Sequence, residues 1–332
     1  MRKLAALAVT LVSLLASAAL LKAAATGYHI LTEIKIGGEG GWDYLTVDSA
    51  ASRLYVSHAT HVVVVDLTTD KVIGDIPDTP GVHGIALAPE LSKGFISNGR
   101  GNNITVFDTK TLKTTGMVAA EMNPDDICYD RGSQRVFAFN GRSRSATVVD
   151  AKSGTVAATI PLPGKPEFSV ADGKGHIYTN VEDTSEIVEI DAKTAKVTKK
   201  YALTGCEGPS GMAMDLKARR IFSVCGNRVM AVSDPDKGTV IATPAIGAAP
   251  DGVVFDPSNG YAMSSNGDGT LTIVQQTGGK YEVLENIATE RGARTIALDE
   301  KTHRVYLPTA APAAAGGRGF LPDSFKVLVV GK

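Results

Sequence analysis

Aromatic residues make up only 6% of the 332-residue sequence, and Trp42 is the single tryptophan. Little is therefore offered for the aromatic platforms on which sugars or quinones stack. An excess of one charge is also missing. Lys and Arg number 34 against 35 Asp and Glu, a net charge of -1, so nothing draws the chain as a whole to nucleic acid or to an acidic membrane surface. Cysteine is scarce: Cys128, Cys206 and Cys225 form no CxxC, which excludes a zinc ribbon and a thioredoxin-like redox motif. G-x-S-x-G, H-E-x-x-H, a Walker loop and a dinucleotide fingerprint are all absent, leaving only catalysis assembled from distant segments. The one long apolar run, Leu4 to Leu21, follows Arg2 and Lys3 and precedes the small residues Ala23 and Ala25. Those flanks predict a secretory signal peptide over residues 1–25 rather than a membrane anchor. The mature protein is then secreted or periplasmic, with no membrane span after cleavage.

What the sequence has in quantity is glycine, 35 residues, and repetition. The phrases VVVVDLTTDKVIGDI from residue 62, ITVFDTKTLKTTGMV from 104, ATVVDAKSGTVAATI from 146, IVEIDAKTAKVTKKY from 187 and MAVSDPDKGTVIATP from 230 each read as strand, turn, strand. Each is preceded by another pair of short strands. The seven openings are WDYLTVD at 42, VHGIALA at 82, PDDICYD at 124, PEFSVAD at 166, PSGMAMD at 209, PDGVVFD at 250 and ARTIALD at 293, spaced by 40 to 43 residues. Four short strands at this period describe a propeller blade, because one such sheet cannot bury both faces and must pack on its neighbours. The expected fold is all-β: a seven-bladed β-propeller of four-stranded antiparallel blades, occupying residues 26–332 as one domain. The seventh copy stops one strand short. YHILTEIKIGG, residues 28–38, is expected to supply the missing outer strand and close the ring.

Within this frame the aspartates that end the inner strands (Asp48, Asp130, Asp172, Asp215, Asp256 and Asp299) and those before the last hairpin (Asp66, Asp108, Asp150, Asp191 and Asp234) read as turn formers, not catalytic groups. In the fourth copy Ser169 and Val170 invert the alternation of large and small residues, which predicts a locally irregular blade.

IYTN at 177–180, FISN at 95–98 and YVSH at 55–58, each followed by a V-x-V-x-D-like strand, a T-x-x-V-like strand and a Pro-Gly or Pro-Asp opening, resemble the YVTN-repeat (YncE-like) β-propeller family of secreted proteins. The resemblance covers all seven copies. It implies a seven-bladed, WD40-like ring, usually secreted or periplasmic, with surface-layer or ligand-binding roles and frequently no assigned catalysis. Because the shared motifs are structural, it transfers no active site.

In a propeller the blade openings and the second-to-third-strand loops share one mouth, where most recognition takes place. The openings place Asp43, His83, Asp125, Glu167, Ser210, Asp251 and Arg294 in a circle; the loops add His58, Asn98, Arg100, Asn140, Arg142, Arg144, Asn266 and Asp268. The triplets SNGRGNN and FNGRSRS set Arg100 and Arg142 in adjacent copies, as paired donors for a carboxylate or phosphate or as plain turn residues facing water. The carboxylates can hold a divalent cation, although no metal-spaced motif is present and no cofactor is expected. His58 and His83 are candidates for a common metal or proton-transfer site. SSNGDGTLTIVQ, residues 264–275, has Ser264 and Gln275 where a calcium loop needs Asp and Glu, and reads as a hairpin. His176 and His303 fall on the opposite face. Cys206 and Cys225 flank one blade at the mouth and are expected to form a disulfide, with Cys128 buried and free. Residues 308–324 make a long loop, either an inert insertion or a lid.

Three functions remain: an extracytoplasmic binding or scaffold protein taking an anionic small molecule, a glycan or a protein partner at the mouth; a metal-dependent, lactonase-like hydrolase; or an accessory in periplasmic redox or metal handling. A monomer that binds no nucleic acid is expected.

Overall fold

The computed structural model describes residues 26–313 and 319–332. The chain folds into seven four-stranded antiparallel sheets arranged as the blades of a ring, with one short 3-10 turn, Pro89–Leu91, as the sole helical element among the described residues. The inner strands are Leu45–Asp48, Val82–Ala88, Pro124–Asp130, Pro166–Ala171, Pro209–Asp215, Pro250–Asp256 and Ala297–Asp299. Each blade then runs outward in sequence order. Blade 7 alone is completed from elsewhere: His29–Lys35 pairs antiparallel with Lys326–Gly331 as its outermost strand. The expected closure is thus formed, and it leaves no broken edge in the ring.

A single blade has two apolar faces and no interior, so the core must lie between blades. Seven buried apolar clusters do this, one at each interface. Between blades 3 and 4, for example, Phe137, Phe139 and Val148 meet Ile177, Val188 and Ile190, each 0% exposed. Across the closure, Ile34 and Val327 pack with Leu54 and Val63. Close to the axis the inner strands carry small residues, and Thr46 Oγ1 donates to the Ile85 carbonyl at 2.6 Å, tying blade 1 to blade 2.

The turn aspartates behave as local chemistry requires. Asp108 Oδ1 accepts from the Thr111 amide at 2.7 Å, and Asp150 Oδ1 from the Ser153 amide at 2.7 Å. Gly154 follows with φ +71°, the left-handed residue that closes the hairpin. On the inner strands Asp130 and Asp256 cap their turns in the same way. Blade 4 keeps all four strands, and its inverted order has a reason: the Ser169 hydroxyl turns toward the adjacent blade and donates to Asp126 Oδ2.

Residues 1–25, which carry the expected signal peptide, lie outside the described residues, as do residues 314–318 of the long loop. On either side of those five, Leu321 donates its amide to the Ala311 carbonyl at 2.8 Å and Phe320 lies 4.5 Å from Trp42, centroid to centroid. No helix among the described residues is long and apolar enough to cross a membrane.

Candidate functional site

The mouth is built by a recurring irregularity. In blades 2 to 6 the inner strand slips register immediately after its first paired residue: between Val82 and Ile85, Pro124 and Ile127, Pro166 and Ser169, Pro209 and Met212, and Pro250 and Gly252. A bulge re-aims the side chain it contains. The residues so placed are His83, Asp125, Glu167, Ser210 and Asp251. Serines on the second strand hold the geometry, since Ser97 Oγ accepts from the Gly84 amide at 2.8 Å and Ser57 Oγ from the Asp43 amide at 2.8 Å.

These bulges bring the expected circle together. His83 Nδ1 lies 2.5 Å from Asp43 Oδ2 and 3.3 Å from Asp125 Oδ1, and one ligand atom from each of the three residues falls within 4.8 Å of the others. Two carboxylate oxygens and an imidazole nitrogen at this spacing form a three-ligand set able to hold a cation. Arg294 pairs with Asp251 across the boundary of blades 6 and 7. Ser210 donates to the Pro250 carbonyl at 3.2 Å and is spent on the frame.

Burial and crowding raise the acids. Asp125 is pushed up first by desolvation, then by the charge of Asp43, with His83 pulling the other way. Desolvation and the Asp125 charge take Glu167 up to about 8, against the pull of Lys165. Asp251 rises to about 7, again from desolvation, despite Arg294. Burial alone would lower His83, but the hydrogen bond with Asp43 and the surrounding carboxylates raise it overall. With His83 protonated, the imidazolium bridges Asp43 and Asp125.

Four participants escaped the sequence reading. Tyr44 of blade 1 and Phe168 of blade 4 come from opposite sides of the ring and meet edge to face, centroids 4.5 Å apart. Together they separate the acidic mouth from the lower channel, where cavities of about 470 and 340 Å³ are lined by Thr46, Ala86, Cys128, Ala213 and Ala297. The signal was a broken column. The residue after the mouth position is Gly84, Gly211 or Gly252 in three blades, where a Cβ would come within about 3.0 Å of the next blade, but an aromatic in blades 1 and 4. Lys165 reaches Glu167 and Glu182, both at 2.5 Å. Asp126, 4% exposed, is held up to about 7 by desolvation.

Other candidates stand apart from the circle. His58 does not share a site with His83. It is buried at the boundary of blades 1 and 7, stacked on Phe325 at 4.4 Å and beside His61 at 4.9 Å, because the second strand of blade 1 ends under the closure segment rather than on the axis. Asn98, Asn140 and Asn266 are 0% exposed and turn inward to brace their own hairpins. Their amides donate to Thr105, Thr147 and Thr272 at 2.8, 3.0 and 3.0 Å, so they are not presented to a ligand. Arg100 and Arg142 are exposed and make no ion pair among the described residues, whereas Arg144 pairs with Asp183 at 2.9 Å. Asp268, in the turn between Tyr261–Asn266 and Thr270–Thr277, accepts from the Ala248 amide at 2.6 Å, in the segment that leads into the inner strand of its blade. His176 and His303 sit beside the turn aspartates Asp172 and Asp256 at 3.0 and 3.1 Å. A disulfide joins Cys206 and Cys225, Cα atoms 5.5 Å apart, and Cys128 is free but only half-buried, because it lines the lower channel.

Two curated relatives, each named Uncharacterized protein YncE, from Salmonella typhi and Salmonella typhimurium, are 25% identical to the chain over 169 residues, 47% of this chain and 47% of theirs. The chain fits a YncE-like propeller family. The match spans about half the length of those YncE relatives. No family model matches the sequence. Among solved structures, Kuenenia stuttgartiensis hydrazine synthase superposes with a TM-score of 0.71 over 90% of this chain and 97% of that one, at 15% identity. That likeness is one of fold alone.

Proposed function

We propose that this chain is an extracytoplasmic binding propeller whose axial mouth takes a cationic ligand, a metal ion or an organic ammonium group. The observation that carries this reading is the charge at the mouth. Asp43, Asp125, Glu167 and Asp251 converge with only His83, Lys165 and Arg294 among them, and Asp125, Glu167 and Asp251 are all raised. Burial and the crowding of like charges both favour the protonated form of these carboxyls, and four acids share the mouth with three basic groups. A cation bound between the carboxylates displaces those protons and offsets the crowding of their charges. The expected anionic ligand, argued from Arg100 and Arg142, therefore gives way to a cationic one at the axis. The aromatic floor of Tyr44 and Phe168 suits an ammonium group, and the oxygens of Asp43 and Asp125 suit a hard divalent ion. The Cys206–Cys225 bridge and the composition of residues 1–25 support a location outside the cytoplasm.

Binding should release protons and strengthen as pH rises. Titration calorimetry with Ca(II), Zn(II) and tetramethylammonium at pH 5 and pH 8, in buffers of different ionisation enthalpy, measures both. The expected result is at least tenfold tighter binding at pH 8, lost in Asp125→Asn. Failure of all three cations to bind at pH 8 refutes the proposal.

The three-ligand set favours a second reading, a metal-dependent hydrolase in which Asp43, His83 and Asp125 hold the ion and Glu167 exchanges the proton. Chelator-sensitive lactone hydrolysis abolished by Asp125→Asn would select it over binding alone.

A further inference from the structure

The turn of blade 1 that reads His58-Ala59-Thr60-His61 returns the chain so that His58 and His61 pair directly across the hairpin. Directly opposed side chains leave the same face of a sheet. Asp75, on the outer strand Lys71–Ile76, pairs with Val63, two residues beyond His61. Period-two alternation therefore puts its carboxylate on that face too. The distances agree: the two imidazole centroids are 4.9 Å apart, and His61 Nε2 is 3.7 Å from Asp75 Oδ1. All three residues line one cavity of about 300 Å³, bounded on the other side by Ile36, Gly37 and Gly38 of the closure segment.

His58 supplies an independent observation. Its side chain is 1% exposed, and neither ring nitrogen has a hydrogen-bond partner. A neutral imidazole carries one N–H and one lone pair, and leaving both unmade inside a protein is costly. The ring is fixed against Phe325, and a Cβ on Gly38 would come to 3.0 Å from its Cε1. A lone pair held in place beside a cavity is an unused ligand.

We propose that His58, His61 and Asp75 form a site for a late first-row transition-metal ion, Zn(II) or Cu(II), separate from the axial mouth. The donor set decides the class, since two imidazoles and one carboxylate suit these ions, whereas calcium and magnesium need more oxygens. Geometry decides the fit. Bonds of about 2.0–2.1 Å in a tetrahedron put ligand atoms roughly 3.4 Å apart and the centroids of two bound imidazoles about 5 Å apart. The centroids and the His61–Asp75 pair are already near these values. One ligand atom from each of the three residues does not yet fall within 4.8 Å of the others, so side chains must turn inward to close on the ion. His61 and Asp75 are 31% and 50% exposed, so they can close on the ion from the solvent side while His58 stays anchored.

The test uses tag-free protein carrying Asp125→Asn, which removes the axial ligand set. Equilibrium dialysis against Zn(II), and electron paramagnetic resonance after one equivalent of Cu(II), read occupancy and nitrogen ligation. The expected result is one bound equivalent with two imidazole nitrogens coupled to Cu(II), and at least tenfold weaker Zn(II) binding in both His61→Ala and Asp75→Asn. These two exposed positions are substituted so that a folding defect at His58 does not decide the result. An absence of bound metal, or binding unaffected by His61→Ala and Asp75→Asn, overturns the proposal. Metal bound by the parent chain and lost with Asp125→Asn, without effect of His61→Ala, assigns the ion to the mouth instead and overturns it equally.

Discussion

Replacing Asp126 by asparagine isolates one buried proton. The carboxyl sits between blades 3 and 4, accepts from the Ser169 hydroxyl, and is held up to about 7 against an ordinary 3.8, chiefly by desolvation. Between those two values the native chain keeps a proton that the unfolded chain has released. Native protein then binds more protons than unfolded, and stability falls as pH rises through that window. At about 1.36 kcal/mol per pKa unit, the full loss above pH 7 is about 4 kcal/mol. Asparagine cannot ionise and lacks this slope. Its extra N–H adds a constant offset, which drops out when each protein is compared with itself. Thermal unfolding of parent and variant at pH 5 and pH 8.5 should show the parent losing more on going to pH 8.5, by about 4–8 °C at roughly 2 °C per kcal/mol. Equal losses in the two proteins would refute the claim that Asp126 is held protonated.

The mouth should add to the same trend. Asp125, Glu167, Asp251 and His83 all have folded-state values raised above their ordinary ones, so each contributes stability present at low pH and lost as pH rises; Glu167→Gln should therefore raise Tm at pH 8.5 and leave it within about 1 °C at pH 5. Reducing the disulfide between Cys206 and Cys225, 19 residues apart, should cost about 3 kcal/mol, read as a drop of about 6 °C in Tm with and without a thiol reductant. Ile34, 2% exposed in the closure cluster, should lose about 2–4 kcal/mol on Ile34→Ala, and an unchanged denaturation midpoint would mean that the outer strand does not carry the closure.

The ring was legible because its signals are local and repeated. Asp108 and Asp150 cap hairpins from within three residues, and the seven openings announce seven inner strands. The closure was legible as well, since a seventh copy short of one strand leaves an edge that His29–Lys35 can fill. The circle of mouth residues followed from their equivalent positions. Side-chain direction did not. Asn98 and Asn140 occupy mouth-proximal positions yet turn inward, because a hairpin end needs its polar groups satisfied before it can offer any to a ligand. His58 sits at the equivalent strand end and stacks on Phe325, a residue about 270 positions away that no repeat could pair with it.

Repetition explains why the residues that define the mouth are the ones that break the pattern. A position that serves the frame is filled alike in several blades, as Gly84, Gly211 and Gly252 are in blades 2, 5 and 6, because each must clear the next inner strand. An aromatic at that position does more than clear a neighbour: Phe168 packs on the core between blades 4 and 5, and it meets Tyr44 because a seven-membered ring sets blades 1 and 4 across the axis. Lys165 follows the same logic: it precedes the fourth opening and supplies the one ammonium group to Glu167 where burial and Asp125 would otherwise keep the acid fully protonated. Each exception adds charge or closes space at the axis, whatever else it packs against. Their convergence on one end of the channel is the ground for placing the proposed binding site there.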